Sequence, residues 1–254
     1  MDKPLLRASE INSYLKCSAE YMFQHIEKIR TPNKLVLAFG TSVHEALARN
    51  YRQKIETKFD LPAEDVVETF ADNFDLGAAD VETMDILEPI GQVKDRGVRL
   101  VDKYQKEVAP RIQPLHVERT MMAQFAGYDY GVKGTVDLID DDNNLIDHKT
   151  THKNHKDIWP GYRRQLSQYA LLIAANKEPL KDTRLDILVA TETPEIHHYK
   201  VEPDLEHTLA LLQNVGEGIK HGIFIPNRDS FLCSRRQCRY WEACEKRYGG
   251  TIKP

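Results

Sequence analysis

Residues 134–150 read GTVDLIDDDNNLIDHKT, and this stretch governs how the middle of the chain is built. Aliphatic residues Val136, Leu138 and Ile139 on one side, and Leu145 and Ile146 on the other, flank Asp141, Asp142, Asn143 and Asn144, whose side chains favour turns. The pattern predicts an antiparallel hairpin, with strands over 130–140 and 144–149 turning about Asp142. That register sets Leu138 against Ile146 and Asp137 against Asp147. Side chains alternate along a strand, so Lys149 projects from the same face as Asp147. Two carboxylates facing each other repel, and a fold keeps them only where a cation neutralises the pair or water solvates it.

Working outward, the chain ahead of the hairpin has helical spacing. Ser9 is a candidate N-cap for a first helix that ends before Thr31 and Pro32. A second helix is expected from about Gly40–Thr41 through Glu56, with further helical stretches over 63–75 and 88–108, closed by Pro110. From 115 the period becomes that of strands, with a turn at AGYD (126–129) before the hairpin. Pro160 then opens a helix over 161–176, RLDILVATE (184–192) and HHYKVE (197–202) form a further strand pair, and 203–221 is an amphipathic helix. The tail from Ile223 has little periodicity. Together these predict one α/β domain over 1–254: a mainly helical region (1–110), a core (111–222) and a cysteine-bearing tail (223–254).

Composition narrows the class. Of 254 residues, 41% are hydrophobic and 29% charged, as in a globular chain able to bury a core. The longest greasy run, ALLIAA (170–175), falls well short of the roughly 18 apolar residues of a membrane span. MDKPLLRASE has no secretory character, which predicts a cytoplasmic protein without membrane attachment. The net charge of −4 does not advertise a nucleic-acid binder, yet a local basic stripe can bind phosphate while acidic residues hold a metal.

A face bearing Asp137, Asp147 and Lys149 has the elements of metal-assisted phosphodiester hydrolysis. The carboxylates hold Mg²⁺ or Mn²⁺, the metal lowers the pKa of a bound water, and the ammonium steadies developing negative charge. The four cysteines, Cys17, Cys233, Cys238 and Cys244, include three in C-x₄-C-x₅-C spacing. Three thiols plus a distant fourth can supply one metal centre, either zinc or an iron–sulfur cluster.

GTVDLID followed by LIDHKT resembles the PD-(D/E)XK nuclease superfamily, in its RecB-type branch. GTSVHEAL (40–47) matches that branch's G-x-x-x-H pattern at His44, and RRQLSQYALL (163–172) its Q-x-x-x-Y pattern at Gln165 and Tyr169. The resemblance implies a restriction-endonuclease-like fold, a central mixed β-sheet flanked by helices. It implies that His44, Asp137, Asp147 and the backbone carbonyl of His148 ligate the metal, and that Lys149 is the catalytic lysine. Gln165 and Tyr169 would position a phosphate, a water or the lysine, and Glu118 would orient the site from outside the ligand set. An imidazole beside two carboxylates suits Mn²⁺ as well as Mg²⁺.

SEINSYLKCSAEYMFQHI (9–26) is similar to the N-terminal segment of those RecB-type nucleases that carry a [4Fe-4S] cluster, which implies Cys17, Cys233, Cys238 and Cys244 as cluster ligands. The sequence departs from their pattern at Ser18, where a proline often follows the first cysteine, and in the x₄ gap, where x₂ is familiar. Lys153, Lys156, Arg163 and Arg164, interleaved with Trp159 and Tyr162, and Arg235, Arg236 and Arg239 near the cysteines, are candidate DNA contacts. The expected function is a metal-dependent deoxyribonuclease, an exonuclease on DNA ends or single strands in recombination, repair, replication or phage DNA metabolism. Alternatives are spacer processing in CRISPR adaptation with an integrase partner, and a non-catalytic DNA-binding subunit with an iron–sulfur staple.

Overall fold

The structure, a computed structural model, describes residues 3–81, 88–153 and 158–249. In chain order the elements are β1 (Leu5–Leu6), α1 (Ala8–Lys16), α2 (Ser18–Tyr21), a π turn (Met22–Ile26), α3 (Leu35–Thr57), α4 (Ala63–Ala79) and α5 (Ile90–Glu107). There follow β2 (Pro114–Ala123), β3 (Gly131–Asp140), β4 (Asn144–Thr151), α6 (Pro160–Ala175), β5 (Asp182–Val189), β6 (Glu195–Lys200), α7 (Leu205–Lys220) and α8 (Trp241–Tyr248). A six-stranded mixed sheet runs β1-β3-β4-β5-β6 with β2 paired to β3, and helices flank it, as the sequence predicts.

The chain divides into two compact units. The larger comprises Pro32–Met121 and Thr135–Pro203, the smaller Met1–Thr31, Met122–Gly134 and Asp204–Pro254.

In the larger unit, β3 and β4 are antiparallel with Leu138 facing Ile146 and Ile139 facing Leu145, the register read from the hairpin sequence. The turn is held by Asp140, whose Oδ1 accepts from the backbone of Asp142 at 3.1 Å and of Asn144 at 2.8 Å. Asn143 adopts φ +64°, a conformation that asparagine tolerates better than most residues. Parallel pairing of β4 with β5 requires a crossover, which α6 provides. The fully buried Phe39, Phe70 and Phe74 of α3 and α4 share a core with Leu138, Ile146 and Leu188 of the sheet. A methyl group added to Gly40 would lie 3.3 Å from Thr150 Oγ1, so a small residue lets α3 run close over β4. Helix α3 begins at Leu35, not at the expected Gly40–Thr41: Leu35 and Phe39 are buried, and that burial carries the helix one turn further back.

In the smaller unit, Leu5 and Leu6 pair in parallel with Gly131 and Val132. Helix α1 is capped by Arg7 rather than Ser9, with the Glu10 carboxylate accepting from the Arg7 amide at 2.7 Å. It breaks at Cys17, whose backbone is extended. Helix α8 lies in the tail that showed no period; it is eight residues long, and Trp241 and Cys244 bury its one inward face. Its core joins Ala19, Met22, Phe23, Tyr240 and Cys244.

Candidate active site

Four elements of the larger unit converge on one group of polar side chains. Helix α3 supplies His44, β2 supplies Glu118, β3 supplies Asp137, and β4 supplies Asp147, His148 and Lys149. One ligand atom each from His44, Glu118 and Asp137 lie within 4.8 Å of one another, two carboxylates and an imidazole suited to a divalent cation. His44 Nδ1 is 3.5 Å from Asp137 Oδ2. That oxygen also accepts from the His148 backbone amide at 2.8 Å, and the His148 carbonyl accepts from the His44 ring.

Asp147 stands outside this trio. Its Oδ2 is 2.8 Å from Lys149 Nζ, and its Oδ1 accepts from Gln165 Nε2 at 3.1 Å. Gln165 also donates to the Tyr169 hydroxyl at 2.7 Å, so these two residues, one turn apart on α6, hold the back of Asp147. Glu118, read from sequence as lying outside the ligand set, instead presents its carboxylate at ligand distance. Its backbone explains how: Glu118 has φ +47° in the middle of β2, and the alternation of inward and outward side chains fails around it. A non-glycine residue in that region is strained, and the surrounding fold holds it there. A sequence pattern of period two carries no trace of such a bend.

Charge follows geometry. Burial raises the Asp147 carboxyl, to about 6; the neighbouring Asp137 adds to the rise and the Lys149 ammonium opposes it. Burial acts the same way on Asp137, but His44, the bond from His148 and Lys149 outweigh it and hold that carboxyl below the usual range. Burial would lower Lys149, yet Asp147 and Asp137 keep it above its ordinary value and therefore charged. Burial lowers His44 below its ordinary value, and the pull of Asp137 opposes it. Glu118 is pushed up to about 7, first by burial and then by Asp137 and Glu45.

Behind the strand lies a relay that the sequence did not announce. The buried His148 ring meets the Tyr104 hydroxyl through Nε2 at 2.8 Å, and Tyr104 meets the Tyr51 hydroxyl at 3.0 Å. Tyr51 lies on α3 and Tyr104 on α5, and no motif in the sequence marks either.

The candidate DNA contacts fall in both units. Lys153 and Arg163 are exposed in the larger unit, where Arg164 is half-buried, and Arg235, Arg236 and Arg239 are exposed in the smaller. Lys156 lies outside the described residues.

Within the smaller unit, Cys17, Cys233, Cys238 and Cys244 line one cavity of about 30 Å³, and none is in a disulfide. Burial and the other three thiols push Cys244 up to about 11. Such a set holds thiolates only when a cationic centre compensates them. Among the described residues no three of these sulfur atoms come within 4.8 Å of one another.

Comparison with known proteins agrees with the geometry. A profile of the PD-(D/E)XK nuclease superfamily matches residues 6–245. No curated protein matches the sequence. The fold is similar to a crystal structure of a "Putative exonuclease" from Eubacterium rectale, with a TM-score of 0.59 and 12% identity, covering 98% of this chain and 90% of that one. A crystal structure of SSO0001 superposes more loosely, with a TM-score of 0.41 and 16% identity over 96% of each chain, and bears no weight here. Among the described residues no helix is long and apolar enough to cross a membrane. With the family's pattern matched along nearly the whole sequence and its mixed sheet present, the chain belongs to the PD-(D/E)XK nuclease superfamily.

Proposed function

We propose that the chain is a divalent-metal-dependent deoxyribonuclease of the RecB-type branch, acting as an exonuclease on DNA ends or single strands. One observation carries this reading: Lys149, 2.8 Å from Asp147, stands on the strand beside a His44–Glu118–Asp137 trio whose donor atoms fit one Mg²⁺ or Mn²⁺ ion. Such an ion, when bound, supplies Lewis acidity toward the phosphodiester and its attacking water. The chain's own residues do the rest. Asp137 is fixed by the His148 amide, Asp147 is fixed by Gln165, and the ammonium of Lys149 is held 2.8 Å from Asp147. We further propose a [4Fe-4S] cluster on Cys17, Cys233, Cys238 and Cys244, because four free thiols line one cavity and the segment around Cys17 is similar to that of cluster-bearing RecB-type nucleases.

The test is incubation of the purified protein with end-labelled single- and double-stranded DNA and Mn²⁺. Cleavage is expected from the wild type, and Lys149→Ala should lower its rate by roughly a hundredfold to a thousandfold while leaving DNA affinity nearly unchanged. Cleavage at the wild-type rate in that variant would refute the role of the lysine, and no cleavage by any preparation would refute the enzyme.

A further inference from the structure

Beside Lys149 a cleft of about 350 Å³ opens within the larger unit, with Thr151, Trp159, Tyr162, Ile187 and Tyr199 among its lining residues. We infer that this cleft is a subsite for one unpaired nucleobase of the strand being cut. The inference rests on the nuclease reading and names its substrate as DNA that is single-stranded next to the scissile phosphate.

Three features argue for a base. The cleft is at the lower end of the range of small-ligand pockets, about 300–1,000 Å³, so it admits a base with its sugar and not a stacked pair. A base in duplex DNA reaches such a cleft only by leaving its stack, which costs least at a frayed or single-stranded position. Three of its lining residues, Trp159, Tyr162 and Tyr199, present rings. Trp159 and Tyr162 meet edge to face at 5.5 Å between centroids, and Lys149 Nζ stands 5.7 Å from the Tyr162 ring. An ammonium beside aromatic faces matches a nucleotide's phosphate and base in kind.

The third feature is how Trp159 is held. It is 52% exposed, so much of the indole is open to solvent. Yet the ring is not loose: a Cβ added to Gly161 would fall 2.3 Å from Trp159 Cζ3 and 2.6 Å from its Cε3. The six-membered ring thus lies across the bare Cα of Gly161, at the start of α6, where Pro160 pre-sets the backbone. The sequence WPGY builds a fixed platform with much of its surface left open, as a stacking surface requires. Stacking on such a platform tolerates any base, because every base has a π-face.

The experiment measures binding by fluorescence anisotropy with the full chain and no added divalent cation. The probes are a labelled single-stranded oligonucleotide, the same strand with one abasic position moved stepwise along it, and a blunt duplex. Wild type is expected to lose roughly tenfold in affinity when the abasic position occupies the cleft. Trp159→Ala should lose the same factor on the intact strand, show no further loss with the abasic strand, and bind duplex as wild type does. Trp159→Phe should restore most of the affinity, and Gly161→Ala, which displaces the ring, should behave like Trp159→Ala. An abasic series without a minimum in affinity, or equal losses on single strand and duplex, would overturn the subsite. Mn²⁺-dependent cleavage by wild type run in parallel separates the two readings: cleavage with a flat abasic series removes the subsite alone, whereas neither cleavage nor DNA binding removes both.

Discussion

Glu118 combines a conformation that costs energy with a carboxyl that resists ionisation, and both serve the same end. Its backbone at φ +47° turns the side chain toward His44 and Asp137, and burial beside Asp137 pushes it up to about 7 against an ordinary 4.5. The folded state therefore holds this proton more tightly than the unfolded chain does. The stabilisation that results is complete below the ordinary value and is lost as pH rises through about 7. Glu118→Gln keeps the shape and removes the titration. In chelator, the melting temperature of wild type should fall relative to Glu118→Gln as pH rises from about 4.5 to about 7 and stay level above that. The same variant should bind Mn²⁺ about 10–100-fold more weakly by calorimetry, comparable to the loss of a group that orients a ligand. An unchanged melting difference across that range would show that Glu118 ionises freely. His44, Asp137, Asp147 and Lys149 were legible because each stands in a short motif of fixed order. Glu118 was visible only as a charge in a strand, since one bent residue leaves no periodic mark.

At the level of elements, the hairpin and the helices behind it divide the work. The strands fix the order of charges along one face, as the alternation of aliphatic and acidic residues and the expected turn about Asp142 already implied. What holds β4 from behind is Tyr104 on α5, bonded to His148 at 2.8 Å, with Tyr51 on α3 next in line. Removing that hydroxyl in Tyr104→Phe leaves the buried His148 nitrogen without this partner. The change should cost about 1–3 kcal/mol in denaturant unfolding. Because His148 sits between Asp147 and Lys149, Mn²⁺ affinity should fall as well, although Tyr104 belongs to no metal-binding group. Stability and affinity both at wild-type values would mean the ring is held by packing alone. The relay escaped sequence reading because tyrosines at helical spacing look like core residues, and it is only the fold that aligns their hydroxyls. Helix α8 escaped for a related reason: eight residues are too few to establish a period, and its burial comes from a partner at the other end of the chain.

On the scale of the whole molecule, each unit has its own core and its own cluster of metal-ready groups. The clustering of three cysteines in the tail was plain in the sequence, whereas their meeting with Cys17 depends on a chain path that no local pattern encodes. A protein purified without oxygen should be brown, and Cys244→Ser should lose both the colour and several degrees of melting temperature, since a metal centre bound only in the folded state contributes its binding energy to folding. A colourless wild type containing zinc would replace the cluster with another centre on the same thiols.

The smaller unit is assembled from three separated stretches, the last of them Asp204–Pro254, while the larger one is complete by Pro203. During synthesis the larger unit has its entire sequence before the smaller has its final stretch, which is more than half of it. Residues 3–31 and 122–134 must wait for that last stretch to emerge from the ribosome. A nascent chain stalled near residue 203 would carry the whole candidate catalytic constellation yet leave Cys17 with none of its three companions.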